Sequence, residues 1–177
     1  MKPDERLQRQ HKVLKCLSKL PRMILLVSER NNIPEFVLHE LCHPACFDLV
    51  KAAFLVDNPD FDCVRGIAGL ARDEMDVTES DIWDHPDDFS MQMQLSPFNQ
   101  KVREVERASL KRNGGEQKEL ISDVANLLGL EQPSACYWDM KHDNHGILIF
   151  ERGAFDDQGI DEYLINGVSM LSFCPIG

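Results

Sequence analysis

Apolar side chains recur every three or four positions near the start of the chain. Leu7, Val13, Leu14, Leu17 and Leu20 fall on one arc, which predicts an amphipathic helix over residues 3–20 that Pro21 stops. The short apolar run Met23 to Val27 has the length of a buried strand. Asn32, Pro34 and Glu35 then form a helix start: Asn as cap, Pro in the first turn, Glu three after the cap. Residues 49–56 fit a helix or a strand. The turn Asp57-Asn58-Pro59-Asp60 follows them, and Phe61 to Leu70 comes next, so a strand pair around that turn is favoured.

Ser90-Met91-Gln92-Met93-Gln94-Leu95 alternates with period two and reads as a half-buried strand, with Met91 and Met93 as core residues. Pro97 opens a helix expected to run to Arg112 and to end at Asn113-Gly114-Gly115. Glu116 to Leu128 is strongly amphipathic and capped by Gly129. Ala135–Met140 and Gly146–Phe150 read as two strands around a polar hairpin loop, residues 141–145. Asp157 to Met170 reads as a last helix, or a helix followed by a strand. There is no internal repeat or low-complexity linker. The pattern predicts a single α+β domain over residues 1–177, with an antiparallel or mixed sheet, flanking helices and an N-terminal amphipathic helix, residues 1–21, as a basic appendage.

Charge sharpens this picture. The net charge is −11, yet residues 1–22 hold seven basic and two acidic side chains, leaving −16 for the rest. An acidic bulk argues against nucleic acid as a partner. The first helix is read as a docking helix whose basic face is solvated or pairs with the acidic body; the alternative is a surface for a protein partner or a membrane. Residues 73–88 are rich in Asp and Glu, but no Gly lies between Gly69 and Gly114, so an EF-hand loop cannot be met and a solvated acidic loop is the default. No apolar run is long enough to span a bilayer. Without a secretory leader in the sequence, the six cysteines are expected to be free thiols and the protein cytoplasmic.

The candidate chemistry is concentrated in His39-Glu40-Leu41-Cys42-His43-Pro44-Ala45-Cys46. It contains H-E-x-x-H, which resembles the helix signature of zinc hydrolases over five residues. In that reading His39 and His43, at i and i+4, hold zinc, and Glu40 takes a proton from the metal-bound water. Helical projection adds Cys42 and Cys46 to the same side, giving four candidate zinc ligands at i, i+3, i+4 and i+7. Pro44 opposes it, because proline pushes the preceding residue out of α conformation. No third histidine stands at the spacing of the longer zinc motif; Glu74 and Glu79 are the nearest acidic donors downstream.

Cys136, His142 and His145 form a second, looser set of candidate ligands on the predicted hairpin, and Cys136 with His145 could make a Cys–His nucleophile pair. Ile121 to Gly129 resembles the first half of a helix-turn-helix, but Glu131–Met140, the segment that would read DNA, has no basic residue. There is no phosphate-binding glycine loop and no nucleophile elbow. The favoured function is therefore non-catalytic, acting through protein or small-ligand contacts, with a zinc-dependent hydrolase as the competing reading.

Overall fold

The computed structural model describes residues 3–76, 81–113, 116–153 and 161–174. Among these, five antiparallel strands form one sheet in the order β3-β2-β1-β5-β4: β1 Leu49–Asn58, β2 Cys63–Ala71, β3 Glu106–Arg107, β4 Ser134–Asp139 and β5 His145–Arg152. Both faces of the sheet are covered. One carries helices α1 (Pro3–Leu26), α2 (Ile33–Cys42) and α7 (Asp161–Val168), which pack on Phe54, Leu70, Leu148 and Phe150. The other carries α4 (Pro97–Arg103) and α6 (Gln117–Leu128), which pack on Leu55, Val64, Ile147 and Ile149. The fold is α+β, as the sequence pattern predicts. No helix among the described residues is long and apolar enough to cross a membrane.

Covering both faces explains why residues 49–56 lack a clear period. Ala52 to Asp57 are all buried, so alternate positions serve two cores and no polar face shows. The β1–β2 hairpin closes over a 3₁₀ turn, Pro59–Phe61, capped by Asn58 Oδ1, which accepts from Asp60 N at 3.1 Å. Gly66 lets α4 sit directly on β2: a methyl there would overlap the Val102 carbonyl. Helix α6 ends as predicted at Gly129, whose φ of 66° lets Leu130 N reach the Ala125 carbonyl at 2.9 Å.

Four expectations are corrected. Helix α1 runs through Pro21, which is exposed, and continues to Leu26, so Met23–Val27 is helix end and turn rather than strand. Its buried seam is Val13, Leu20 and Val27, a seven-residue repeat that continues past the proline. That shifts the apolar arc away from Leu7 and Leu14, which are 65% and 46% exposed. Residues 90–95 belong to helix α3 (Pro86–Leu95): Pro86 and the first-turn acids Asp87 and Asp88 start it, and Phe89 and Met93, at i and i+4, are its buried side. The helix from Pro97 stops at Arg103, because residues 106–107 pair with β2 and the chain resumes as α5 (Leu110–Asn113). Of the two alternatives for residues 157–170, the described part shows the helix, α7 over Asp161–Val168, followed by a 3₁₀ turn over Ser169–Phe173; residues 157–160 lie outside the described residues.

Candidate functional site

Helix α2 carries the His/Cys stretch, and its end decides the geometry. The helix stops at Cys42; His43 has φ −59° and ψ 135°, the extended conformation that a following proline imposes. The chain then folds back, with Cys46 N donating to His43 O at 2.8 Å and Phe47 N to Leu41 O at 3.2 Å. The four-ligand stripe therefore does not exist as one face. Nine of the ten residues of α2 are buried, because α1, the sheet and the C-terminal turn surround it.

Each candidate ligand has its own surroundings. His39 is 1% exposed and its ring meets Phe89 edge-on at 5.5 Å. Neither ring nitrogen has a well-formed hydrogen bond among the described residues, although the Asp76 backbone lies beside the ring. Burial pushes its pKa down to about 4, against the pull of neighbouring Glu40, so the ring is neutral at pH 7. His43 is half-buried and accepts a hydrogen bond at Nδ1 from Ala45 N at 3.0 Å, which places the neutral ring's proton on Nε2. Cys42 lies in the core, and burial raises its thiol pKa above the ordinary range. Cys46 is buried, and the neighbouring Cys16 thiol of α1, with burial, raises its pKa too.

What the structure does bring together is a groove of about 450 Å³ between α1 and α2. His39, Glu40 and His43 all line it, with Cys16 and Trp83. Trp83 Nε1 donates to Glu40 Oε1 at 2.8 Å and Cys16 Sγ to Oε2 at 3.6 Å, so both carboxylate oxygens are engaged. Lys12, Lys15 and Lys19 of α1 also line it and are exposed, giving the groove a basic rim. Sequence spacing within α2 could not show these partners, since they arrive from α1 and from the 3₁₀ turn Asp81–Trp83.

Beyond His39 lies a second cavity of about 350 Å³ that includes Glu74. That carboxylate caps α4, accepting from Ser96 Oγ at 2.5 Å and Phe98 N at 3.0 Å. Glu79 lies outside the described residues. Among the described residues no group of three or more His, Cys, Asp or Glu side chains is placed to hold one metal ion.

The hairpin cluster is divided by the sheet. Cys136 packs on the α2 side, where burial pushes its thiol up to about 12, while His145 is on the opposite face. His142 is exposed in the loop at φ 59°. A Cys136–His145 nucleophile pair is thus geometrically closed. His145 Nδ1 instead lies 2.9 Å from Asp139 Oδ1 and faces a cavity of about 470 Å³ that also contains Asp57, Lys111 and Tyr137. Asp57 is 1% exposed; Oδ2 accepts from Lys111 N at 3.3 Å, and Oδ1 has no partner among the described residues. Strand register places Asp57, His145 and Asp139 side by side, a grouping invisible without the pairing. The segment 131–140 that a DNA reader would need as a helix is largely strand β4.

Compared with protein-family models, with curated proteins and with solved structures, the chain matches none.

Proposed function

We propose that this is a non-catalytic binding protein whose helix α1 receives an acidic, partly apolar segment of a protein partner. The observation that carries the reading is the basic-rimmed, partly apolar groove between α1 and α2, with further apolar surface exposed on α1. Leu7, Leu14 and Leu25 are 65%, 46% and 72% exposed. At 100° per residue they fall within about 20° of one another. By the same rotation Lys12, Lys15 and Lys19 lie about 80–160° round the helix from that line, where they rim the groove over α2 beside Leu20, Met23 and Trp83. An apolar-lined groove under a basic rim suits an amphipathic acidic helix, because such a partner sets leucine-type side chains against the groove lining while its carboxylates meet the lysines. The −16 charge outside residues 1–22 steers such a partner toward α1 and away from the rest of the surface.

The test uses Trp83, which lines the groove, as reporter. Glu- and Asp-rich amphipathic peptides are titrated into the full chain, with Trp fluorescence and peptide anisotropy as readouts. Binding is expected to weaken with salt and to fall at least tenfold in the Lys12→Glu/Lys15→Glu/Lys19→Glu variant at unchanged circular dichroism. Equal binding to both proteins, or binding to neither, refutes the reading.

The hydrolase reading draws support from one observation: His39, Glu40 and His43 line a common groove. The occupied Nδ1 of His43, which accepts from Ala45 N, the engaged carboxylate of Glu40 and the missing third donor among the described residues weigh against it. Elemental analysis of untagged protein separates the two. Zinc below about a tenth of an equivalent, with no loss of thermal stability on chelation, rejects the metal reading. Bound zinc, with hydrolysis abolished by Glu40→Gln, establishes it.

A further inference from the structure

Strand register sets Asp57, His145 and Asp139 abreast on β1, β5 and β4, and two residues along it sets Ile147 beside Tyr137. These positions share the face of the sheet that α4 and α6 cover. Helix α5 closes over them with Leu110 and Lys111, leaving the cavity of about 470 Å³. That volume is within the range of small-molecule sites. The groove between α1 and α2 lies on the other face, so the two sites share no residue.

The polar groups of this cavity are mostly acceptors. Asp57 is 1% exposed; Oδ2 takes the Lys111 backbone N–H at 3.3 Å, and Oδ1 has no partner among the described residues. Tyr137 Oη is also shielded from water and unpartnered among the described residues. His145 Nδ1 lies 2.9 Å from Asp139 Oδ1. An ionised carboxylate can only accept, so Nδ1 carries the proton and Nε2 of the neutral ring is an acceptor. Lys111 sets its ammonium on Asp143 instead. The lining therefore presents two carboxylates, and its lysine answers neither. A carboxylate oxygen withdrawn from water forfeits hydrogen bonds that a ligand N–H would restore.

The geometry points to a binding site for a small primary organic ammonium, its N–H groups donating to Asp57 Oδ1 and His145 Nε2 and its apolar body lying against Leu110, Ile147 and the Tyr137 ring. Adjacent strands run about 4.8 Å apart, so one nitrogen can reach both side chains of the directly opposed pair Asp57 and His145. Tyr137 Oη, able to donate and accept, provides a further contact. A metal ion fits less well, because among the described residues no three His, Cys, Asp or Glu side chains are placed to hold one. An anion would meet the two carboxylates.

The experiment titrates phenethylammonium chloride into the isotope-labelled full chain at constant ionic strength and follows amide NMR shifts. Constant salt screens the general attraction of a chain of net charge −11 for cations. Saturable shifts are expected at Asp57, Lys111, Tyr137 and His145. Phenethyl alcohol, the same body with a hydroxyl, should bind at least tenfold more weakly. Asp57→Asn should weaken the amine at least tenfold at unchanged circular dichroism. If that variant does not fold, Tyr137→Phe, which deletes only the hydroxyl, takes its place with an expected loss of at least threefold. The Lys12→Glu/Lys15→Glu/Lys19→Glu variant should bind the amine no more weakly than the wild type, which separates this site from the groove over α2. No saturable shift at about 10 mM amine, shifts centred outside the cavity, equal affinity for the alcohol, or an unweakened Asp57 or Tyr137 variant would overturn the proposal.

Discussion

His39 carries a pH-dependent share of stability whose size follows from its burial. The ring is 1% exposed and lies against Phe89, and its pKa falls from 6.5 to about 4. A base whose folded pKa is depressed is neutral in the fold while the unfolded chain takes up the proton. Its contribution is therefore fully present above pH 6.5, declines as pH falls, and is gone near pH 4. That fall in pKa corresponds to roughly 3 kcal/mol in full, at about 1.36 kcal/mol per tenfold change in proton affinity. Between pH 7.5 and pH 5.0 the same relation gives a loss of about 2 kcal/mol. The assay is urea unfolding followed by Trp fluorescence at both pH values, for the wild type and for His39→Gln. Other groups titrate in this interval; Glu35, raised by burial, stabilises the fold as pH falls. The readout is therefore the difference between the two proteins. The substituted glutamine bears a fixed penalty as a buried amide, but it does not titrate. The stability gap between wild type and variant should narrow by about 2 kcal/mol on going to pH 5.0. Parallel curves would show that His39 is protonated or solvated in the fold, and the account of this buried ring would be wrong.

Other perturbations reach different parts of the fold. Trp83→Phe removes the donor to Glu40 Oε1 and should cost about 1–3 kcal/mol in thermal or urea unfolding; an unchanged melting point refutes the hydrogen bond's role. Gly66→Ala drives a methyl into the Val102 carbonyl and should prevent stable folding, whereas Gly129→Ala meets no atom within 4 Å and should cost only the left-handed strain, about 1–2 kcal/mol. Circular dichroism melts of the pair check the contrast. Arg103→Met leaves Glu35 buried without its 2.5 Å ion partner; with Arg103 half exposed, the cost should be about 2 kcal/mol at pH 7.5 rather than the roughly 3–5 of a fully buried pair. That deficit should shrink toward pH 5, because Glu35 without the cation has a still higher folded pKa and its protonation then favours the fold.

The elements legible in the sequence are those whose signals are local. The start of α2, the β1–β2 turn, α6 with Gly129 and the β4–β5 hairpin each carry caps, turn residues or a clear period. The misread segments are those where a distant contact overrides local pattern. Pro21 remains inside a helix because Val27 extends the buried seam of Val13 and Leu20 beyond it. Residues 104–107 leave the helix because Gly66 N takes the Val105 carbonyl at 2.9 Å and β2 gains an edge partner. The same holds for the groove. Glu40 and both histidines are visible as a motif, but Trp83, Cys16 and the lysines become its neighbours only when α1 crosses α2.

A spacing that would bring four ligands to one ion instead distributes them among separate contacts. His39 fills a slot against Phe89, Cys42 is core, His43 turns back on its own loop, and Cys46 is buried in the loop that follows. Pro44 is the cause, since ψ of 135° at His43 ends the helix at Cys42. In a helix buried at nine of ten positions, periodic histidine and cysteine are constrained first by packing, as small or neutral residues that fit an apolar layer. The chemistry that remains available is on the one side that α1 does not seal. There Glu40, the single acid of the motif, is hydrogen-bonded to a tryptophan and a thiol under a rim of lysines. A carboxylate held this way is oriented by its two donors without a metal.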